Sequence, residues 1–75
     1  MEQIHLSARL QAIADLIPEG SSVVDVGTDH GYLPIWLAQR GRCKKLAASD
    51  VHRGPLEHAK RSAKEFDLEE RIEFA

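Results

Sequence analysis

With a single cysteine, Cys43, in 75 residues, no disulfide can close within this chain, a pattern that fits a reducing cytoplasm. No apolar run approaches the roughly 20 residues that span a bilayer, and the N-terminus has no basic stretch followed by an apolar one. A soluble chain with an unprocessed start is expected. The formal charge of -2 leaves no overall basic footprint for nucleic acid. Arg40, Arg42, Lys44 and Lys45 form the one local cationic cluster, and cations at a helix end have a local reason to be there. Metal-ligand spacing is missing as well: His5, His52 and His58 are scattered and Cys43 has no partner. Repeats, linkers and low-complexity segments are absent. The apolar share of 43% and charged share of 29% are those of a folded chain, with a thin core at this length.

The remaining pattern alternates helix and strand. Leu6, Leu10, Ile13, Ala14 and Ile17 recur at helical spacing, with Ser7 as N-cap and Pro18-Glu19-Gly20 as the stop. Residues 22–27 then read as a strand, too apolar around Asp25 for a solvated edge and therefore central. Residues 33–40 read as a helix, with Pro34 in its first turn, Gly41 at its end and Trp36 in the core. A second strand over 44–50 ends in Asp50. Pro55 is expected at the first position of the next helix, whose apolar stripe is Leu56, Ala59, Ala63 and Phe66. Residues 72–75 begin a third strand. Crossovers of this length require parallel, right-handed pairing. The expected fold is α/β: a leading helix over 1–20, then a βαβαβ half of a doubly wound, Rossmann-like sheet over 21–75, in order 3-2-1. Such a half normally belongs to a larger enzyme, because a parallel sheet needs both faces covered.

The first strand runs into Asp25-Val26-Gly27-Thr28-Asp29-His30-Gly31-Tyr32-Leu33-Pro34, where an open α/β sheet binds its ligand. A dinucleotide fingerprint starting at Gly27 would need glycines where Asp29 and Tyr32 stand. A phosphate-binding loop would need Gly-Lys-Ser/Thr, which does not follow. A carboxylate at Asp29 also repels a pyrophosphate. S-adenosylmethionine carries no phosphate and presents a sulfonium, an ammonium and a ribose diol, for which an acidic turn is suited. Asp25 and Asp29 would face its cationic groups, Gly27 and Gly31 would admit its approach, and the next helix N-terminus would receive its carboxylate. Asp50, about 20 residues after Gly27, stands where a nucleotide-binding unit puts its ribose acid. Purely structural roles remain beside these: Asp25 as a buried acid satisfied by backbone N–H groups, Asp29 or Asp50 as a helix cap, and His30 as a turn residue without function.

These residues, together with Leu6-Ser7-Ala8-Arg9-Leu10, Ile17-Pro18-Glu19-Gly20, Ser49-Asp50-Val51 and Gly54-Pro55, resemble the bacterial tRNA (adenine-N1)-methyltransferases that act on adenine 22 of the D-arm. The resemblance covers essentially the whole chain. It implies a class I methyltransferase fold and a cofactor site built from Asp25, Gly27, Thr28, Asp29, His30, Gly31, Asp50 and Val51, with Arg9 at the pocket rim or on the methionine carboxylate. Asp50 stands where members commonly carry Glu. The resemblance further implies catalytic roles for Asp29 and His30, and tRNA as a substrate bound mainly by regions outside these residues. A cofactor-binding fragment without activity, a methyltransferase for another acceptor and a nicotinamide-dependent fragment stay open at this point. The unpaired edge of the first strand would favour self-association.

Overall fold

The computed structural model describes residues 4–75; the expected domain span also takes in 1–3, which lie outside the described residues. In chain order the elements are α1 (Ala8–Asp15), β1 (Ser21–Val26), α2 (Tyr32–Gln39), β2 (Cys43–Ser49), α3 (Arg53–Glu65) and β3 (Glu73–Phe74). All pairing is parallel, and the strand order β1-β2-β3 is the one expected. Among the described residues β2 pairs with both other strands and β1 with β2 alone.

The start of α1 follows from Ser7, whose Oγ accepts the Leu10 N–H at 3.3 Å and satisfies one of the four amides a helix start leaves open. Ala14 of α1 is fully buried, and Leu6, Leu10 and Ile17 pack against the core beside it. Arg42 ties the end of this segment to the start of β2 by donating from Nη2 to the Ile17 carbonyl at 2.9 Å. Arg40 stands over the Trp36 ring at 3.9 Å from its centroid. Two members of the cationic cluster thus have local structural contacts.

Helix α2 buries Leu33, Pro34, Ile35, Trp36, Leu37 and Ala38, which makes it the centre of the core rather than a half-solvated helix. Val23 and Leu46 are register partners, as are Asp25 and Ala48; this face of the sheet carries the core. On the opposite face Val24 is 65% and Val26 80% exposed. Helix α3 turns Ala59 and Ala63 inward, and Leu68 and Ile72 close the core below it. Its N-cap is His52, so Pro55 is the third helical residue and not the first as expected. Either place suits proline, because neither amide would have an intrahelical acceptor.

Candidate functional site

The two strand-end turns meet at the carboxyl edge of the sheet. Past β1 the backbone alternates: Gly27, Asp29 and Gly31 have φ of 71°, 58° and 75°. Aspartate is among the few side chains that adopt this left-handed conformation readily. The turn is pinned by the Thr28 N–H donating to the Ser49 carbonyl at 2.8 Å and the Gly31 N–H donating to the Thr28 carbonyl at 3.0 Å.

The two glycines serve different ends. A Cβ on Gly27 would meet nothing within 4 Å, so its face is open to a ligand. A Cβ on Gly31 would lie 2.7 Å from the Ala59 Cβ, so this glycine exists for the seating of α3 against the turn. Gly31 is itself buried, in keeping with that packing contact. It is also the N-cap of α2 without a side-chain cap bond, so Asp29 does not cap that helix.

Asp50 joins the turns. Its Oδ2 accepts the Asp29 N–H at 3.0 Å, and its Oδ1 accepts the His52 N–H at 2.8 Å with His52 Nδ1 at 3.2 Å. The backbone amides of His52 and then Asp29 hold its carboxyl below the usual carboxylate range. A carboxylate offers about four acceptor sites; with the His52 N–H and ring Nδ1 on Oδ1 and the Asp29 N–H on Oδ2, Oδ2 keeps one for a further donor while the amides fix its orientation. Asp25, at the end of β1, is the counterpart. Burial pushes its carboxyl up, and the Thr28 hydroxyl, donating to Oδ2 at 2.9 Å, offsets part of the rise.

A groove of about 270 Å³ opens over the first turn, lined by Arg9, Leu10 and Ile13 of α1 and by Asp25, Val26, Gly27, Thr28, Asp29, His30, Tyr32 and Leu33. Its volume is at the small end for a small-molecule site. Arg9, Asp25, Gly27, Thr28, Asp29 and His30 are therefore brought together. Asp50 and Val51 line a neighbouring concavity with Arg53, Leu56, Glu57 and Lys60, and the Asp50–Asp29 bond links the two. Val51 is 94% exposed. Tyr32 and Ile13, half-exposed on the groove wall, and His58 of α3, whose Nδ1 is 3.2 Å from that of His30, join the expected site residues here. The aromatic residue two positions past Asp29-His30 was the one available signal for Tyr32. Among the described residues no cluster of three or more His, Cys, Asp or Glu is arranged to hold a metal, and no helix is long and apolar enough to cross a membrane.

An acidic turn with one open glycine and an amide-oriented carboxylate at the next strand end lie where a Rossmann-like sheet places its nucleoside site. The chain belongs to the methyltransferase-domain family, whose pattern matches residues 6–75. It is 35% identical over 72 residues to the tRNA (adenine(22)-N(1))-methyltransferase of Bacillus subtilis, covering 96% of this chain and 30% of that protein. Among solved structures it is similar to a putative tRNA (m1A22) methyltransferase of Streptococcus pneumoniae in complex with S-adenosyl-L-methionine, at 37% identity and a TM-score of 0.88, covering 95% of this chain and 33% of that one. M. capricolum TrmK in complex with S-adenosyl-homocysteine is 38% identical with a TM-score of 0.88, covering 93% of this chain and 31% of its own. The chain thus spans about a third of the length of these relatives.

Proposed function

We propose that this chain supplies the N-terminal, cofactor-binding part of a cytoplasmic S-adenosylmethionine-dependent tRNA (adenine-N1)-methyltransferase acting on adenine 22. The observation that carries the reading is the hydrogen bond from the Asp29 N–H to Asp50, which makes one acidic site of two strand ends. When bound, the cofactor supplies an electrophilic methyl group on a sulfonium. The chain's own residues then bind and orient. Asp50 keeps one acceptor position, on Oδ2, for a ribose hydroxyl, Asp25 and Asp29 give the groove the negative charge that suits an ammonium and a sulfonium, and Arg9 offers a cation to a carboxylate. Gly27 and Val51 provide surface without obstruction.

Adenine N1 has a lone pair and is uncharged at neutral pH, so transfer requires alignment more than a strong base. It leaves a cationic ring, which the exposed carboxylate of Asp29 stabilises, with His30 beside it to hydrogen-bond the base edge. Recognition of the tRNA body falls mainly to regions outside these residues. Calorimetric titration with S-adenosylhomocysteine, with NADH as control, tests the cofactor reading: binding of NADH in preference would overturn it. Asp29→Ala in the full-length enzyme should abolish turnover, and near-normal transfer would remove Asp29 from catalysis.

A further inference from the structure

His30 and His58 lie 28 residues apart in sequence and face each other across the contact between the first turn and α3. Their Nδ1 atoms are 3.2 Å apart and their ring centroids 4.6 Å apart, edge to face. Two nitrogens at that distance need one proton between them, since two bare lone pairs repel and two N–H groups collide. The other end of the pair decides which ring carries it. His30 Nε2 is 3.7 Å from Asp29 Oδ1. A bare nitrogen there would oppose the carboxylate, whereas an N–H is attracted to it. His30 is thus protonated on Nε2 and accepts on Nδ1, and His58 is the Nδ1–H donor.

We propose that His58 is a positioning residue of the site: its Nδ1–H holds the His30 imidazole in the Nε2–H tautomer, directed toward Asp29 and the groove. The inference rests on the methyl-transfer reading for its consequence, though not for its geometry. With its one acceptor nitrogen engaged by His58, His30 meets the methyl acceptor as a hydrogen-bond donor and not as a base. Seating is part of the same arrangement: Gly31, next to His30, touches Ala59, next to His58, so the contact that brings α3 to the turn also sets the distance between the rings. Tyr32, with its ring centroid 5.7 Å from that of His30, closes the other side.

Long-range nitrogen–proton NMR of histidine-labelled protein, recorded at mildly alkaline pH without cofactor, reads the tautomers directly and independently of any turnover. The expected result is Nδ1–H for His58 and Nε2–H for His30; Nε2–H on both rings overturns the proposal. In the full-length enzyme, His58→Leu should lower kcat roughly three- to tenfold with the cofactor KM near wild type, a fraction of what general acid–base groups contribute. His58→Asn, whose amide N–H can stand in for the donor, should recover most of that loss. Equal rates for the Leu and Asn variants would reduce His58 to packing and overturn the proposal even if both fold normally.

Discussion

Two aspartates end the first two strands of this sheet, and they are held by opposite means. Asp25 is still within β1, on its core-facing side, half-buried with the Thr28 hydroxyl donating to it, and burial raises its pKa. Asp50 follows β2, with a side chain 8% exposed, and accepts backbone amides from both turns, which lower its pKa. The turn after β1 takes its shape from left-handed residues and from the contact of Gly31 with α3. The turn after β2 has none of these left-handed residues and takes its shape from a carboxylate. One strand end is set by backbone chirality and packing, the other by charge-assisted hydrogen bonds.

The largest expected effect breaks the first of these. Gly31→Val places a β-branched side chain in the left-handed region, at about 1–2 kcal/mol, and forces it into Ala59, at roughly 1–3 kcal/mol more. A combined loss of about 3 kcal/mol lowers the melting temperature by roughly 12–24 °C in a domain of this size. Gly27→Ala, with the same sign of φ and no neighbour within 4 Å, should cost only the backbone share, about 1–2 kcal/mol. Thermal melts of the two variants check the pair; equal losses would mean that the α3 contact contributes nothing.

Next comes the charge-held end. Asp50→Ala leaves the Asp29 and His52 amides without their acceptor and removes the candidate ribose ligand. The dissociation constant for S-adenosylhomocysteine should rise at least about tenfold, the scale of a lost charge-assisted hydrogen bond. Calorimetry with circular dichroism as the fold control checks this, and an unchanged constant would place the ribose elsewhere.

How much of this could be read from residue order follows from the range of each interaction. Ser7 as a cap, the all-apolar run from Leu33 to Ala38 and the small inward residues Ala59 and Ala63 are local patterns, and each element formed where its pattern lay. The acidic turn was legible because its chemistry is contiguous. What was not legible is what crosses the fold. The packing role of Gly31 is invisible in residue order because its neighbour, Ala59, is on another helix. His58 carries no local motif, since its partner is His30. Asp50 was read as a ribose acid, and nothing in the order of residues shows that it first holds an amide of the other turn. Ile13 fits the helical stripe, yet it is 41% exposed on the groove wall.

A smaller effect sharpens the contrast between the two acids through pH. The raised pKa of Asp25 means that folding favours its protonated form: the stability it contributes is fully present below the ordinary value of 3.8 and is lost as pH rises through the higher folded value. The lowered pKa of Asp50 has the reverse sign: its contribution is present above 3.8 and is lost as pH falls through the folded value. Melting temperatures of Asp25→Asn and wild type, compared from about pH 3 to pH 7, should therefore diverge in favour of the variant as pH rises. For Asp50→Asn the variant's deficit should shrink as pH falls. Parallel curves for both would mean that the two carboxylates differ in nothing the fold can sense.

The smallest effect falls beside the charge-held end, at Val51. At 94% exposure this side chain packs against almost nothing in the fold, so Val51→Ala should change stability by no more than the few tenths of a kcal/mol usual for a surface site and leave the melting temperature nearly unmoved. In the proposed site its place next to Asp50 would offer a surface to the apolar face of a bound nucleoside, and removal of two methyl-sized groups from a contact costs about 1 kcal/mol or less when the contact is partly solvated. A three- to fivefold rise in the S-adenosylhomocysteine dissociation constant with no change in melting temperature is the expected result. The two readouts separate the roles, because an exposed valine with no fold partner can change affinity only by touching the ligand. Unchanged affinity would confine the ligand to the groove over Gly27 and leave Asp50 as the sole contribution of the second strand end.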